Sequence, residues 1–123
     1  MANSYRDLTV WQKSVELACD VHRLTELMPT SERYGLSSQI IRAAASVPAN
    51  IAEGNGRGTR KDYANFISIA RGSAAELETF LIIIGKLEFA PRDTVAGLLE
   101  RAQEVSRMLN ALRQRLTAKS NLV

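Results

Sequence analysis

The sequence predicts an all-α protein that folds as an antiparallel, up-down-up-down four-helix bundle. Apolar residues make up 46% of the 123 residues, which is enough for one core. They recur at helical spacing of three and four residues along four segments. Short connections between such segments favour antiparallel neighbours. We therefore expect a single domain over residues 1–123, with a frayed tail at about residues 118–123.

The first helix is predicted at about residues 9–28, with Asp7 or Thr9 as its N-terminal cap and Pro29 after its end. It carries two apolar stripes. One consists of Trp11, Val15, Ala18 and His22, and the other of Val10, Leu17, Val21 and Leu24. The lone Cys19 and His22 are interpreted as packing residues of this helix.

The second helix is predicted at about residues 36–53. Its apolar stripe consists of Ile40, Ala44, Val47 and Ile51. The alanines around this stripe let a neighbouring helix approach closely. Pro48 lies inside the segment and has no N–H to donate to the carbonyl of Ala44. The sequence therefore predicts a kink or a break at that point.

The run Gly54-Asn55-Gly56-Arg57-Gly58 predicts a loop, and Thr59 with Asp62 resembles a capping box that opens the third helix. That helix should reach about residue 88. Its main stripe is predicted as Phe66, Ala70, Ser73, Leu77, Phe80, Ile84 and Leu87. Gly72 is interpreted as a close helix contact.

The fourth helix is predicted at about residues 94–116, capped by Asp93. Its inward residues should be Val95, Leu98, Ala102, Val105, Leu109, Leu112 and Leu116.

The apolar surface predicted for the first and third helices exceeds what one bundle interior can bury. The segment at residues 80–84 is apolar nearly all round, and the first helix carries its two stripes. A second apolar face needs a partner, or it leaves a large exposed patch. The sequence therefore predicts a homo-oligomer.

Composition argues against several functional classes. One cysteine allows no intrachain disulfide and no cysteine-based zinc site, and one histidine rules out the paired Glu-x-x-His motifs of di-iron bundles. No cofactor, no metal and no catalytic residues are predicted, so we expect a protein that is not an enzyme. The longest apolar run is too short for a bilayer. No membrane partner is expected, and the location is expected to be cytoplasmic.

The net charge of +3 is concentrated at one end of the predicted bundle. In this topology the N-terminus, the loop between the second and third helices, and the C-terminus share an end. The candidate nucleic-acid-binding residues at this end are Arg57, Arg60, Lys61, Arg113, Arg115 and Lys119, with Arg6 beside them. Two causes stay open at this point: a phosphate-binding surface, or chance combined with matching of the helix dipole.

A second polar group recurs along one face of the second helix. It consists of Gln39, Arg42, Ser46, Asn50 and Glu53. One interpretation is an ordinary solvated face. The other is a polar seam between subunits, in which Arg42 pairs with Glu53 of a neighbouring copy.

Several motifs resemble one known family. They are YRDLTVWQ at residues 5–12, ERYGL at 32–36, RAA at 42–44, PANIAEG at 48–54, ARGS at 70–73 and ELET at 76–79. This set resembles the four-helix-bundle proteins encoded in intervening sequences of bacterial 23S ribosomal RNA genes. The resemblance extends over almost the whole chain.

The resemblance implies a ring-shaped homopentamer and supplies no catalytic residues. The chain is also similar to the accessory variability proteins of diversity-generating retroelements, which bind nucleic acid and a reverse transcriptase. RNA, DNA, a reverse transcriptase or another protein are therefore expected partners. We carry two hypotheses forward. The chain is an oligomeric scaffold that binds nucleic acid, RNA above all, through its basic end, or it is a protein-interaction adaptor that never touches nucleic acid.

Overall fold

The computed structural model describes residues 4–118 and contains four long helices. They are α1 (Thr9–Thr25), α2 (Leu36–Asn55), α3 (Arg60–Lys86) and α4 (Arg92–Thr117). Each helix packs against the next in the chain, and α1 also packs against α4, which closes the bundle. The predicted all-α, up-down bundle is therefore confirmed. Most of the predicted tail, Lys119 included, lies outside the described residues.

The core is formed by one stripe from each helix, and on α2 and α3 it includes small side chains. Ala43 and Ala44 are buried on α2, and Ala70 and Ala74 are buried on α3. The contact between α2 and α3 is the most extensive in the bundle, and near its end Gly54 lies directly against Phe66. Larger side chains from all four helices fill the rest of the core, among them Leu24, Ile40, Ile51, Ile67, Leu77, Leu81, Ile84 and Leu109.

Helix α2 continues beyond its predicted end. The structure has neither a helix break at Pro48 nor an end at Glu53, because the helix continues to Asn55 with Pro48 buried inside it. The predicted loop is correspondingly shorter, and Gly54 lies within the last turn of the helix. A proline removes one backbone donor, and the packing of α2 over its whole length compensates for that loss.

One of the predicted helix caps is confirmed. The Thr59 hydroxyl accepts a hydrogen bond from the backbone N–H of Asp62, at 3.1 Å, and caps α3. The caps predicted for α1 and α4 are wrong. Leu8 and Pro91 hold those positions, and neither makes a side-chain cap bond.

Several predicted packing positions lie on the surface instead. His22 and Cys19 on α1 are exposed. On α3, Leu87 is exposed and Phe66 and Phe80 are only half-buried. The buried stripe of this helix is Ala64, Ile67, Ala70, Ala74, Leu77, Leu81 and Ile84. The prediction favoured the aromatic residues, whereas the structure buries alanine, isoleucine and leucine side chains.

Helix α3 leaves apolar side chains on the outside of the bundle, as its all-round apolar sequence predicts. Within the single chain, Ile69 is 51% exposed, Ile82 45%, Ile83 37% and Leu87 54%. The α1 stripe that contains Trp11 and Ala18 differs from this surface of α3, because both side chains are half-buried against the core. The excess apolar surface therefore belongs to α3 rather than to α1.

A charged group links α1 to α4 across the surface. The Asp20 carboxylate accepts hydrogen bonds from Arg101 of α4 at 2.8 Å and from Arg23 at 2.7 Å. The bond from Arg101, followed by that from Arg23, lowers the pKa of Asp20 below its ordinary value. Among residues 4–118, no helix is long and apolar enough to cross a membrane, and no three metal-binding side chains lie together.

We predict that Ala44→Leu lowers the free energy of unfolding by about 1–3 kcal/mol, because overpacking a filled core forces neighbouring side chains apart. Ala44 is only 2% exposed and lies in the hydrophobic core. Thermal or urea unfolding measures the change.

Gly72→Ala is the matched control, because the structure corrects the prediction that Gly72 is a close contact. A Cβ atom at Gly72 meets no atom within 4 Å. Removing a glycine from a helix interior should raise stability by about 0.5–1 kcal/mol. Equal melting temperatures for wild type and Ala44→Leu would contradict the packing described here.

Candidate nucleic-acid interface

The fold brings the predicted basic residues to one end of the bundle. The start of α3 meets the end of α4 there, because the Arg60 guanidinium donates hydrogen bonds to the carbonyl oxygens of Arg115 at 2.9 Å and Leu116 at 3.4 Å. The turn at Tyr5–Asp7 packs against α2 at the same end. We call this surface the basic end. It comprises Arg6, Arg57, Arg60, Lys61, Arg113 and Arg115 among the described residues.

Arg60 has a structural role at the basic end. The last carbonyl groups of a helix have no partner within the helix, and they carry the negative end of its dipole. The Arg60 side chain binds two of these carbonyl oxygens in α4. Its guanidinium is therefore already occupied within the chain, which weakens the prediction that Arg60 binds phosphate.

Arg57 is also partly engaged. One of its terminal nitrogens lies 3.5 Å from a carboxylate oxygen of Glu53, one turn earlier in the chain. The guanidinium carbon lies 4.9 Å from the centre of the Phe66 ring, in the geometry of a cation–π contact. Its side chain nevertheless remains 49% exposed.

The remaining predicted binding residues differ in their surroundings. Arg113 donates through Nε to the Ser68 hydroxyl at 2.6 Å, which ties α4 to α3 along the side of the bundle. Lys61 and Arg115 are exposed at the end itself. Lys119 lies outside the described residues.

The two ends of the bundle differ in charge. The six described bases of the basic end face three acids, Asp7, Glu53 and Asp62, which leaves a surplus of three positive charges. The opposite end carries the loops between α1 and α2 and between α3 and α4. Its four bases, Arg23, Arg33, Lys86 and Arg92, are balanced by four acids, Glu26, Glu32, Glu88 and Asp93.

The predicted polar seam on α2 is divided between two environments. The Asn50 amide donates to the Ser46 hydroxyl at 2.9 Å, and Ser46 shares a 2.8 Å hydrogen bond with Ser73 of α3. These side chains therefore join α2 to α3 within one chain.

The other members of the seam lie on the surface. Gln39 and Arg42 are exposed and line a groove of about 370 Å³ together with Glu76 and Phe80 of α3. Glu53 pairs with Arg57 of its own chain. Pairing of Arg42 with Glu53 of another copy stays a prediction.

The contact that positions Phe66 could not be predicted from the sequence. A Cβ atom built at Gly54 would lie 2.6 Å from Cβ of Phe66, so only glycine allows this approach of α2 to α3. Next to this contact, the Asn55 amide donates to the Tyr63 hydroxyl at 3.2 Å. The glycines were interpreted as loop residues, and nothing in their spacing indicates an aromatic partner on the next helix.

The comparisons with known proteins agree with this architecture. The sequence model of a family described as "23S rRNA-intervening sequence protein" matches residues 6–111. The chain belongs to this family. The match includes four of the six described bases of the basic end, with Arg6 as its first residue, and ends before Arg113 and Arg115 in α4.

A solved structure is similar to the chain over most of its length. It is a protein of unknown function from the S23 ribosomal protein family of Bacteroides thetaiotaomicron, with 27% sequence identity and a TM-score of 0.79. The similarity covers 86% of this chain and 99% of that one. No curated protein matches the chain significantly.

We predict that Arg60→Ala lowers the free energy of unfolding by about 1 kcal/mol, because the α4 carbonyl oxygens lose their two hydrogen bonds from this side chain. Lys61→Ala is the control, since it removes the same charge from the neighbouring position. It should change stability by less than about 0.5 kcal/mol, as exposed substitutions usually do. Chemical unfolding distinguishes the two, and equal losses would contradict the capping role of Arg60.

Proposed function

We propose that this chain is a non-enzymatic, oligomeric scaffold whose basic end binds nucleic acid, with RNA the favoured partner. The main support for this proposal is the location of the surplus positive charge. The basic end has a surplus of three positive charges, whereas the opposite end is balanced. Basic residues that gather on one surface attract phosphate backbones and release counterions when they bind.

Self-association is the second part of the proposal. Apolar side chains of α3 lie on the outside of the single chain, most clearly Ile69, Ile82 and Ile83. Burying them against another copy removes apolar surface from water. The number of five subunits comes from the family resemblance alone. In a closed ring whose bundle axes run roughly along the symmetry axis, every basic end lies on the same face of the ring. The positive potentials of the subunits then add.

The second candidate function is a protein-interaction adaptor. It is favoured by apolar side chains at the opposite, electrically balanced end of the bundle. Leu27 is 56% exposed and Tyr34 is 89% exposed, and Leu87, which follows α3 at the same end, is 54% exposed. In this case the partner would be a protein with an apolar surface, and the basic end would serve solubility.

We predict that the protein binds an RNA oligonucleotide at about 50 mM salt and that the affinity falls steeply as salt rises. Fluorescence anisotropy across a salt series measures both. The double variant Lys61→Glu and Arg115→Glu should weaken binding by at least about tenfold, because it reverses two exposed charges at the basic end.

The control carries the same charge change at the other end. Arg33→Glu with Arg92→Glu reverses two exposed bases there, and it should bind RNA more tightly than the first variant. If wild type does not bind at about 50 mM salt, or if both double variants lose affinity equally, the basic end is not the nucleic-acid site. The adaptor hypothesis then takes its place.

We also predict a closed oligomer in dilute solution. Light scattering should give about 68 kDa for a pentamer, five times the 13.6 kDa of one chain. Ile83→Glu should lower this mass, because a charge on the apolar face of α3 opposes its burial. A wild-type mass of 13.6 kDa at micromolar concentration would refute self-association.

A further inference from the structure

The aromatic residues are gathered at the basic end. Tyr5, Trp11, Tyr63 and Phe66 lie there, out of seven aromatic residues in the chain. Both arginine–aromatic contacts found between residues 4 and 118 are also at this end: Arg57 lies over Phe66 at 4.9 Å, and Arg6 lies over Tyr5 at 5.7 Å. The Tyr5 ring in turn meets Trp11 edge-on, with the ring centres 5.2 Å apart.

The surroundings of Arg57 favour stacking over phosphate binding. Its guanidinium is paired with the Glu53 carboxylate and rests with one face on the Phe66 ring. A carboxylate beside the guanidinium repels phosphate and uses part of its donor capacity. The Arg57 side chain is still 49% exposed, so part of it remains accessible to solvent while it lies over the Phe66 ring. A flat cation with an open face can stack on another planar group.

The fold positions Phe66 through a close contact at its Cβ atom. Gly54 lets the backbone of α2 touch Cβ of Phe66, and Tyr63 lies against the same glycine. The bond from Asn55 to the Tyr63 hydroxyl fixes the neighbouring ring at 3.2 Å. Arg57 therefore rests on a positioned aromatic platform, and little ordering is needed when a ligand stacks on it.

We infer that the basic end binds single-stranded nucleic acid, with an unpaired base stacked on the outer face of the Arg57–Phe66 pair. The exposed Lys61 and Arg115 supply charge for the backbone of the same strand. In a duplex both faces of a base are covered by its neighbours, so only an unpaired base can occupy this position. All bases have a stackable face, so base preference should be weak. This inference rests on the proposed function.

The test compares a labelled single strand of about 16 nucleotides with a duplex of the same sequence. Fluorescence anisotropy with the intact oligomer, at matched salt, should show tighter binding of the single strand. Phe66→Leu should weaken single-strand binding by about tenfold and leave duplex binding unchanged. The salt dependence should stay as in wild type, because no phosphate contact is lost.

Two further variants keep the result interpretable. Phe80→Leu is the matched control, because Phe80 is another half-buried phenylalanine of α3, nearer the opposite end. It should bind as wild type does. Arg57→Lys keeps the charge but removes the planar group, and it should weaken single-strand binding as Phe66→Leu does. Because Arg57 is in a surface loop, Arg57→Lys tests the stacking site even if Phe66→Leu fails to fold.

The possible failures are distinguishable. If neither form of RNA binds, the proposed function and this inference both fail. If single strand and duplex bind equally well, and Phe66→Leu and Arg57→Lys bind as wild type does, the basic end binds nucleic acid through charge alone. The stacking site is then overturned while the proposed function stands.

Discussion

The close packing of α2 against α3 determines the rest of this structure. Alanines 43, 44, 70 and 74 are buried on these two helices, and a hydrogen bond between Ser46 and Ser73 joins them. At the end of α2, Gly54 brings the α2 backbone against Phe66. The buried stripe of α3 combines alanines with Ile67, Leu77, Leu81 and Ile84. The other large apolar side chains of this helix, among them Phe66, Ile69, Ile82 and Ile83, lie at the edge of the stripe or on the outer surface.

The basic end follows from this arrangement and from the short connections between helices. Its arginines are not equivalent, although all of them contribute charge. Arg60 closes the end of α4, and Arg113 binds Ser68, so both stabilise the bundle. Arg57 lies on an aromatic ring with its charge balanced by Glu53, whereas Lys61 and Arg115 extend into solvent. A surplus of charge at one end is thus divided among capping, stacking and exposed positions.

The sequence predicted the amphipathic elements well and the contacts between elements poorly. Every inward residue predicted for α4 is buried or half-buried, because polar residues separate them and only one face is apolar. Helix α3 is apolar on several sides, so periodicity did not distinguish Ile67 and Leu81 from Phe66 and Phe80. The role of Arg60 was not predictable, because its acceptors lie 55 and 56 residues away in the chain. In contrast, the location of the basic residues at one end of the bundle could be predicted from the topology alone.

The central claim is that nucleic acid meets this protein at the basic end. Photo-crosslinking of a 4-thiouridine-containing single-stranded RNA, followed by mass spectrometry of the peptides, tests it most directly. If nucleic acid binds at the basic end, crosslinks should form in residues 54–66, around Arg57 and Phe66, and in residues 5–11, around Tyr5 and Trp11. Crosslinks confined to residues 27–34 and 87–93, at the opposite end of the bundle, would contradict it.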